Sequence, residues 1–150
     1  MPKRTVEAEI VLCDGSGGRF ALFLSEHASR HEGPEEVADL LEADGAFLPA
    51  RDLASGRIAF LRRDAIAVAA LDGVAEDPFA LAPAEQHALE ARLPGGRTVR
   101  GVVSYVLPPD RARVLDHLNQ PGAFLALHGD DGVVRLVAKR HVARLDALER

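Results

Sequence analysis

Glu36-Val37-Ala38-Asp39-Leu40-Leu41-Glu42-Ala43-Asp44-Gly45-Ala46-Phe47-Leu48 returns, diverged, as Arg113-Val114-Leu115-Asp116-His117-Leu118-Asn119-Gln120-Pro121-Gly122-Ala123-Phe124-Leu125. Seven positions agree: Val, Asp and Leu at helical spacing, then the run Gly-Ala-Phe-Leu. An internal repeat decides architecture before any single motif does, because each copy must be one structural unit. Val37, Leu40 and Leu41 share one face of a short helix, as do Val114, Leu115 and Leu118. Gly45 and Gly122 then let the chain leave that helix.

Working outward, the order of elements also repeats. Downstream lie Arg57-Ile58-Ala59-Phe60-Leu61, Arg62-Arg63-Asp64 and Ala65-Ile66-Ala67-Val68 in one copy. Val133-Val134-Arg135-Leu136-Val137, Ala138-Lys139-Arg140 and His141-Val142-Ala143-Arg144-Leu145 follow in the other. Upstream, Val6, Ala8, Ile10 and Leu12 alternate, Asp14-Gly15-Ser16-Gly17-Gly18 turns, and Phe20 to Leu24 returns, which is the pattern of a hairpin. Its counterpart is Leu89, Ala91 and Leu93, the turn Pro94-Gly95-Gly96, and Val99 to Leu107. Propensity alone reads Ala84 to Arg92 as helix, since Ala, Glu, Gln and Leu dominate it; the repeat predicts a strand. Prolines and acids at Pro34-Glu35-Glu36 and Pro109-Asp110 open the two helices.

The expected fold is therefore α+β and mostly β: two tandem copies of a small barrel-like or sandwich unit, each a hairpin, a short helix and three strands. Residues 1–71 form the first unit, 72–83 the linker and 84–150 the second. A unit of about 70 residues is marginal alone because it buries only around 60% of its unfolded surface. The two copies are expected to pack face to face with pseudo-twofold symmetry, as a sandwich or as two SH3-like barrels joined at an edge.

Val102-Val103-Ser104-Tyr105-Val106-Leu107-Pro108-Pro109, the helix Arg113 to Asn119, Phe124-Leu125-Ala126-Leu127 and Val137-Ala138-Lys139-Arg140-His141-Val142 resemble a family of small bacterial β-rich domains of uncharacterised function. Those domains carry a hairpin, a Leu-Asp-x-Leu-Asn helix and a final turn, in a strand order similar to that of Sm-like and SH3-like barrels. The second copy matches over most of its length; the first keeps Asp39 and Leu41 but has Glu42 in place of Asn. The resemblance implies a fold and no catalytic residues.

Composition narrows the function classes. Hydrophobic residues make up 47% and charged residues 27%, which suits a folded core and not a disordered chain. No apolar stretch reaches the roughly 18 residues needed to span a bilayer, and the start meets Glu7 before any apolar leader. A cytoplasmic protein without a membrane partner is expected. The single Cys13 excludes an internal disulfide, fits a reducing compartment and reads as a half-buried strand thiol. Residues 1–75 carry 8 Lys/Arg against 13 Asp/Glu and residues 76–150 carry 10 of each, so neither half offers nucleic acid a strong basic field.

Candidate chemistry is sparse. His27 and His31, four apart in Glu26-His27-Ala28-Ser29-Arg30-His31-Glu32, are the metal-ligand candidates; Ala28 after His27 departs from the zincin pattern, and an exposed polar loop is the competing reading. Asp14-Gly15-Ser16-Gly17-Gly18 lacks the nucleophile elbow and the Lys-Ser/Thr of a phosphate loop, so it is a turn. Arg111, Arg113, Lys139, Arg140 and Arg144, with His141 beside them, form a candidate anion or partner patch. Base stacking needs exposed aromatics, and Phe47 and Phe124 look like core. Asp39 and Asp116 hold matching helix positions; a symmetric carboxylate pair across the two copies is one reading, and a structural hydrogen bond that recurs because the fold recurs is the commoner one. No catalytic set and no cofactor is expected. The leading expectation is a non-catalytic binding or regulatory module taking a protein or small ligand, followed by an Sm-like RNA-associated protein, then a metal-dependent enzyme using the His27/His31 loop.

Overall fold

A computed structural model describes residues 3–25, 37–72, 85–105 and 114–148. The first half runs β1 (Lys3–Leu12), β2 (Gly17–Ser25), α1 (Val37–Glu42), β3 (Phe47–Asp52), β4 (Ile58–Arg62), a 3-10 turn at Arg63–Ala65, and β5 (Ile66–Leu71). The second runs β6 (Glu85–Arg92), β7 (Thr98–Tyr105), α2 (Val114–Leu118), β8 (Phe124–His128), β9 (Val134–Ala138), a 3-10 turn at Lys139–His141, and β10 (Arg144–Ala147). Ten strands form one antiparallel sheet in the order β10-β6-β7-β8-β9-β5-β1-β2-β3-β4. The segment 73–84, which contains most of the expected linker, lies outside the described residues.

The strand reading of residues 84–92 holds over β6, against local helix propensity. Ala88, Leu89, Glu90 and Ala91 each pair with β7, and Leu89 and Ala91 enter the core from one side of the strand. Tertiary pairing supplies backbone partners and burial that a solvent-exposed helix would not. The β1–β2 turn closes with Leu12 N–H donating to Ser16 O at 2.8 Å, and Leu93 N–H donates to Arg97 O at 2.8 Å in the second hairpin. Gly45 and Gly122, at φ 108° and 125°, adopt the left-handed backbone that lets the chain turn from each short helix into a strand.

The halves meet along a strand edge and not face to face. Val68 pairs with Val137 and Leu71 with Val134, so β5 and β9 satisfy each other's backbone groups and the sheet continues from one half into the other. Of the two expected arrangements, the face-to-face one is corrected, and the halves join edge to edge. Two apolar clusters form on opposite sides of the sheet's middle. Ile10, Leu22, Leu24, Leu48 and Ile66 centre the first with Leu40 and Leu41 of α1; Leu89, Val103, Leu127 and Val137 centre the second. Strand β5 feeds both, sending Ile66, Ala69 and Leu71 one way and Ala67 and Val68 the other. Two consecutive residues face the same side because the β1–β5 register slips there: Leu12 pairs with Ile66 but Val11 with Val68, leaving Ala67 as the extra residue of a bulge.

Candidate binding face and the junction between halves

In the β3–β4 hairpin, alternation sends Leu48, Ala50, Ala59 and Leu61 inward, with Leu48, Ala50 and Leu61 buried in the first cluster and Ala59 packed against it. The other face carries Phe47, Pro49 and Arg51 on β3 opposite Arg62, Phe60 and Ile58 on β4. Phe60 is 70% exposed, Phe47 56% and Ile58 43%, next to exposed Pro49. Four apolar side chains on adjacent strands make a contiguous patch, and such patches on otherwise polar surfaces mark contact sites. Arg51 and Arg62 border it, with Arg51 Nη1 donating to Gly56 O at 2.9 Å. Strand β4 is also an edge of the sheet. The expectation that Phe47 is core is corrected: it occupies the first position of β3 on the outer face, where no described strand covers it. Phe124, in the second Gly-Ala-Phe-Leu run, is half-buried against the first cluster.

Charged side chains tie the halves together beside the seam. Glu42, the last residue of α1, accepts from the Ala123 N–H at 2.9 Å and from the Phe124 N–H at 3.1 Å, so a helix of the first half caps the start of β8. Arg63 reaches back across α1: Nε donates to Leu40 O at 3.0 Å, and Nη1 to Asp44 O, Gly45 O and Phe47 O at 3.0–3.2 Å. Lys139, at the same place in the second half, donates through Nζ to Gln120 O at 2.8 Å. Burial holds the Lys139 ammonium below the usual lysine value, with the nearby Glu42 charge opposing that shift. Arg140 pairs with Asp64 at 2.8 Å, and His141 Nε2 bonds the Asp64 carbonyl. An open cleft of about 220 Å³ lies here between Asp44, Asp64, Phe124 and Arg140. Of its charged walls, Glu42, Arg63, Asp64 and Arg140 already hold protein partners.

Each described member of the basic set already has a partner within the protein. Arg144 forks onto Asp146 at 2.6–3.2 Å, which holds that carboxyl below its ordinary range. Lys139 and Arg140 are engaged as above, while Arg111 and Arg113 lie outside the described residues. No family model, curated protein or solved structure matches this chain. His27 and His31 also fall outside the described residues, and among those that are described no group of three or more His, Cys, Asp or Glu side chains gathers to hold a metal. Burial first, and the Lys139 charge second, lower the pKa of His117.

Asp14 closes its turn by accepting from the Ser16 N–H at 2.9 Å and the Ser16 hydroxyl at 2.6 Å, in keeping with the turn reading. Cys13 is exposed just past β1, correcting the half-buried strand reading; its N–H, not its side chain, is what ties it to Ala65 O. No described helix is long and apolar enough to cross a membrane.

Sequence reasoning missed the β3–β4 face. The available signal was Ile58-Ala59-Phe60-Leu61, which is apolar at both parities, so whichever side entered the core left apolar residues on the other. Glu42 gave no signal, because its partners lie some 80 residues away in sequence.

Proposed function

We propose that the chain is a non-catalytic binding module of the cytoplasm, built from two tandem diverged copies of one small Sm-like or SH3-like unit, and that it takes a protein partner on the outer face of β3–β4. The observation that carries the binding site is the exposed Phe47, Pro49, Ile58 and Phe60 patch on an edge hairpin. Extended partners add to such edges through backbone pairing while side-chain pockets give selectivity. Several features support the tandem reading. Each half carries the strand order last-first-second-third-fourth. The Leu12 and Leu93 turn bonds correspond, and so do the bonds from Arg63 N–H to Ala46 O and from Lys139 N–H to Ala123 O, both 2.8 Å.

Native mass spectrometry of freshly purified protein tests the binding reading. The wild type is expected to carry a partner that Phe60→Lys loses, since a central aromatic anchor contributes about 2 kcal/mol or more to an interface. Turnover of a bound small molecule, abolished by a point substitution away from this hairpin, would overturn it.

One observation favours a second reading, single-stranded RNA: Phe47 and Phe60 are exposed on the same face as Arg51 and Arg62. Stacking on an aromatic contributes about 1–3 kcal/mol per base. On that reading a labelled oligouridine binds with an affinity that falls as salt rises, and Arg51→Glu/Arg62→Glu flattens the salt dependence. Binding that is absent at low salt removes RNA from consideration.

A further inference from the structure

We infer that the open β3–β4 hairpin receives a second copy of this chain, whose β10 edge pairs with β4 as β9 pairs with β5 inside one chain. This deepens the binding-module reading and rests on it.

The sheet ends at β4 and β10. Its internal seam joins the last strand of the first half, β5, to the fourth strand of the second, β9. The two free edges are the complementary pair: the fourth strand of the first half and the last strand of the second. At the seam the outer face of β8–β9 is covered, with Leu136 buried and Phe124, Ala126 and Val134 packed on the first cluster. The corresponding face of β3–β4 carries Phe60, Phe47, Pro49 and Ile58 in those places, and it lies open. One half therefore has a cover that the other lacks.

Backbone direction fits as well. The bonds from Asp52 N–H to Arg57 O and from Arg63 N–H to Ala46 O set the parity of β4, so Ala59 and Leu61 point their N–H groups at β3 and Phe60 points its own outward. The bond from Leu148 N–H to Ala88 O does the same for β10, leaving the Leu145 and Ala147 N–H groups on the free edge. In the seam Ala69 lies opposite Leu136. Leu136 stands three before Lys139 as Phe60 stands three before Arg63, and Ala69 stands three after Ile66 as Leu145 stands three after Val142. The register carried over places Phe60 of one copy opposite Leu145 of the next. Asn119 then holds the place of Glu42, where its side-chain oxygen accepts from the Ala46 and Phe47 N–H groups of the other copy. Joining unlike edges is a heterologous contact.

Sedimentation velocity of the full chain tests this. The wild type is expected to gain mass with concentration. Phe60→Lys, which charges one edge, and Ala147→Pro, which removes an outward donor on the other, should each weaken association by about tenfold or more. Their equimolar mixture should restore a dimer, because each variant keeps the edge the other has lost. Both sites are exposed, and circular dichroism checks that the fold survives; Ile58→Lys is the second lesion on β4. A mixture that stays monomeric overturns the inference. So does association lost in Phe60→Lys and Ile58→Lys but retained in Ala147→Pro, which would mean β4 pairs with β4. A wild type that stays single at every concentration while carrying another partner lost in Phe60→Lys overturns the second copy and leaves the binding face standing. A wild type both single and bare overturns both.

Discussion

Replacing Val68 by aspartate is expected to unfold the whole chain and not one half of it. Val68 belongs in sequence to the first half, yet its side chain is buried in the second cluster with Leu125, Leu127 and Val137. Its backbone lies between Val11 of β1 and Val137 of β9, the contact on which the seam is built. A carboxylate there has no described basic residue to pair with inside the cluster, and stranding a charge in an apolar core costs roughly 4–5 kcal/mol or more. That is comparable with the whole stability of a small protein, about 5–15 kcal/mol. Far-ultraviolet circular dichroism should show the sheet signal lost at room temperature. The milder Val68→Ala should lower stability by about 2 kcal/mol while keeping one cooperative transition. If amide exchange found β1–β4 still protected in Val68→Asp while β6–β9 had opened, the halves would be independent folding units and this account of a shared middle would be wrong.

Arg63→Ala should cost about 3 kcal/mol, a large effect for a side chain that is not fully buried. One guanidinium gathers four carbonyls: Leu40 in α1, Asp44 and Gly45 in the turn after it, and Phe47 at the start of β3. The last carbonyls of a helix have no intrahelical donor, and α1 is only six residues long, so it depends on such capping. The bond to Leu40 O is the part-buried one and carries the larger share; the others partly rehydrate when Arg63 is removed. Arg63→Lys should recover part of the loss, since Lys139 performs a one-bond version of the same task at Gln120 O. Urea unfolding reads the difference directly. An Arg63→Ala midpoint no lower than that of Arg62→Ala, whose side chain is exposed on the outer face of β4, would show that the capping bonds contribute nothing net.

Val37, Leu40 and Leu41 at helical spacing followed by Gly45, and alternating Val6, Ala8, Ile10 and Leu12 followed by a glycine turn, were enough to call a helix and a hairpin where both occur. The repeat decided β6 where local propensity pointed to helix. Those features are local: backbone conformation, side-chain parity and turn chemistry act over a few residues and leave a visible mark in the chain. Other features depend on which distant edge meets which. Val68 crosses into the opposite cluster only because β9 arrives alongside β5 and Ala67 bulges out of register. Glu42 finds two amide donors only because β8 ends up beneath α1. Phe47 and Phe124 share a motif and a strand position, yet one is open and the other half-buried. The amino-acid sequence by itself determined the elements, their order and the parity of the strands that alternate, such as β1 and β6. Only the tertiary structure decided which edges joined and which apolar face was left uncovered, because strand pairing is a contest among distant backbone edges that no short stretch of chain records.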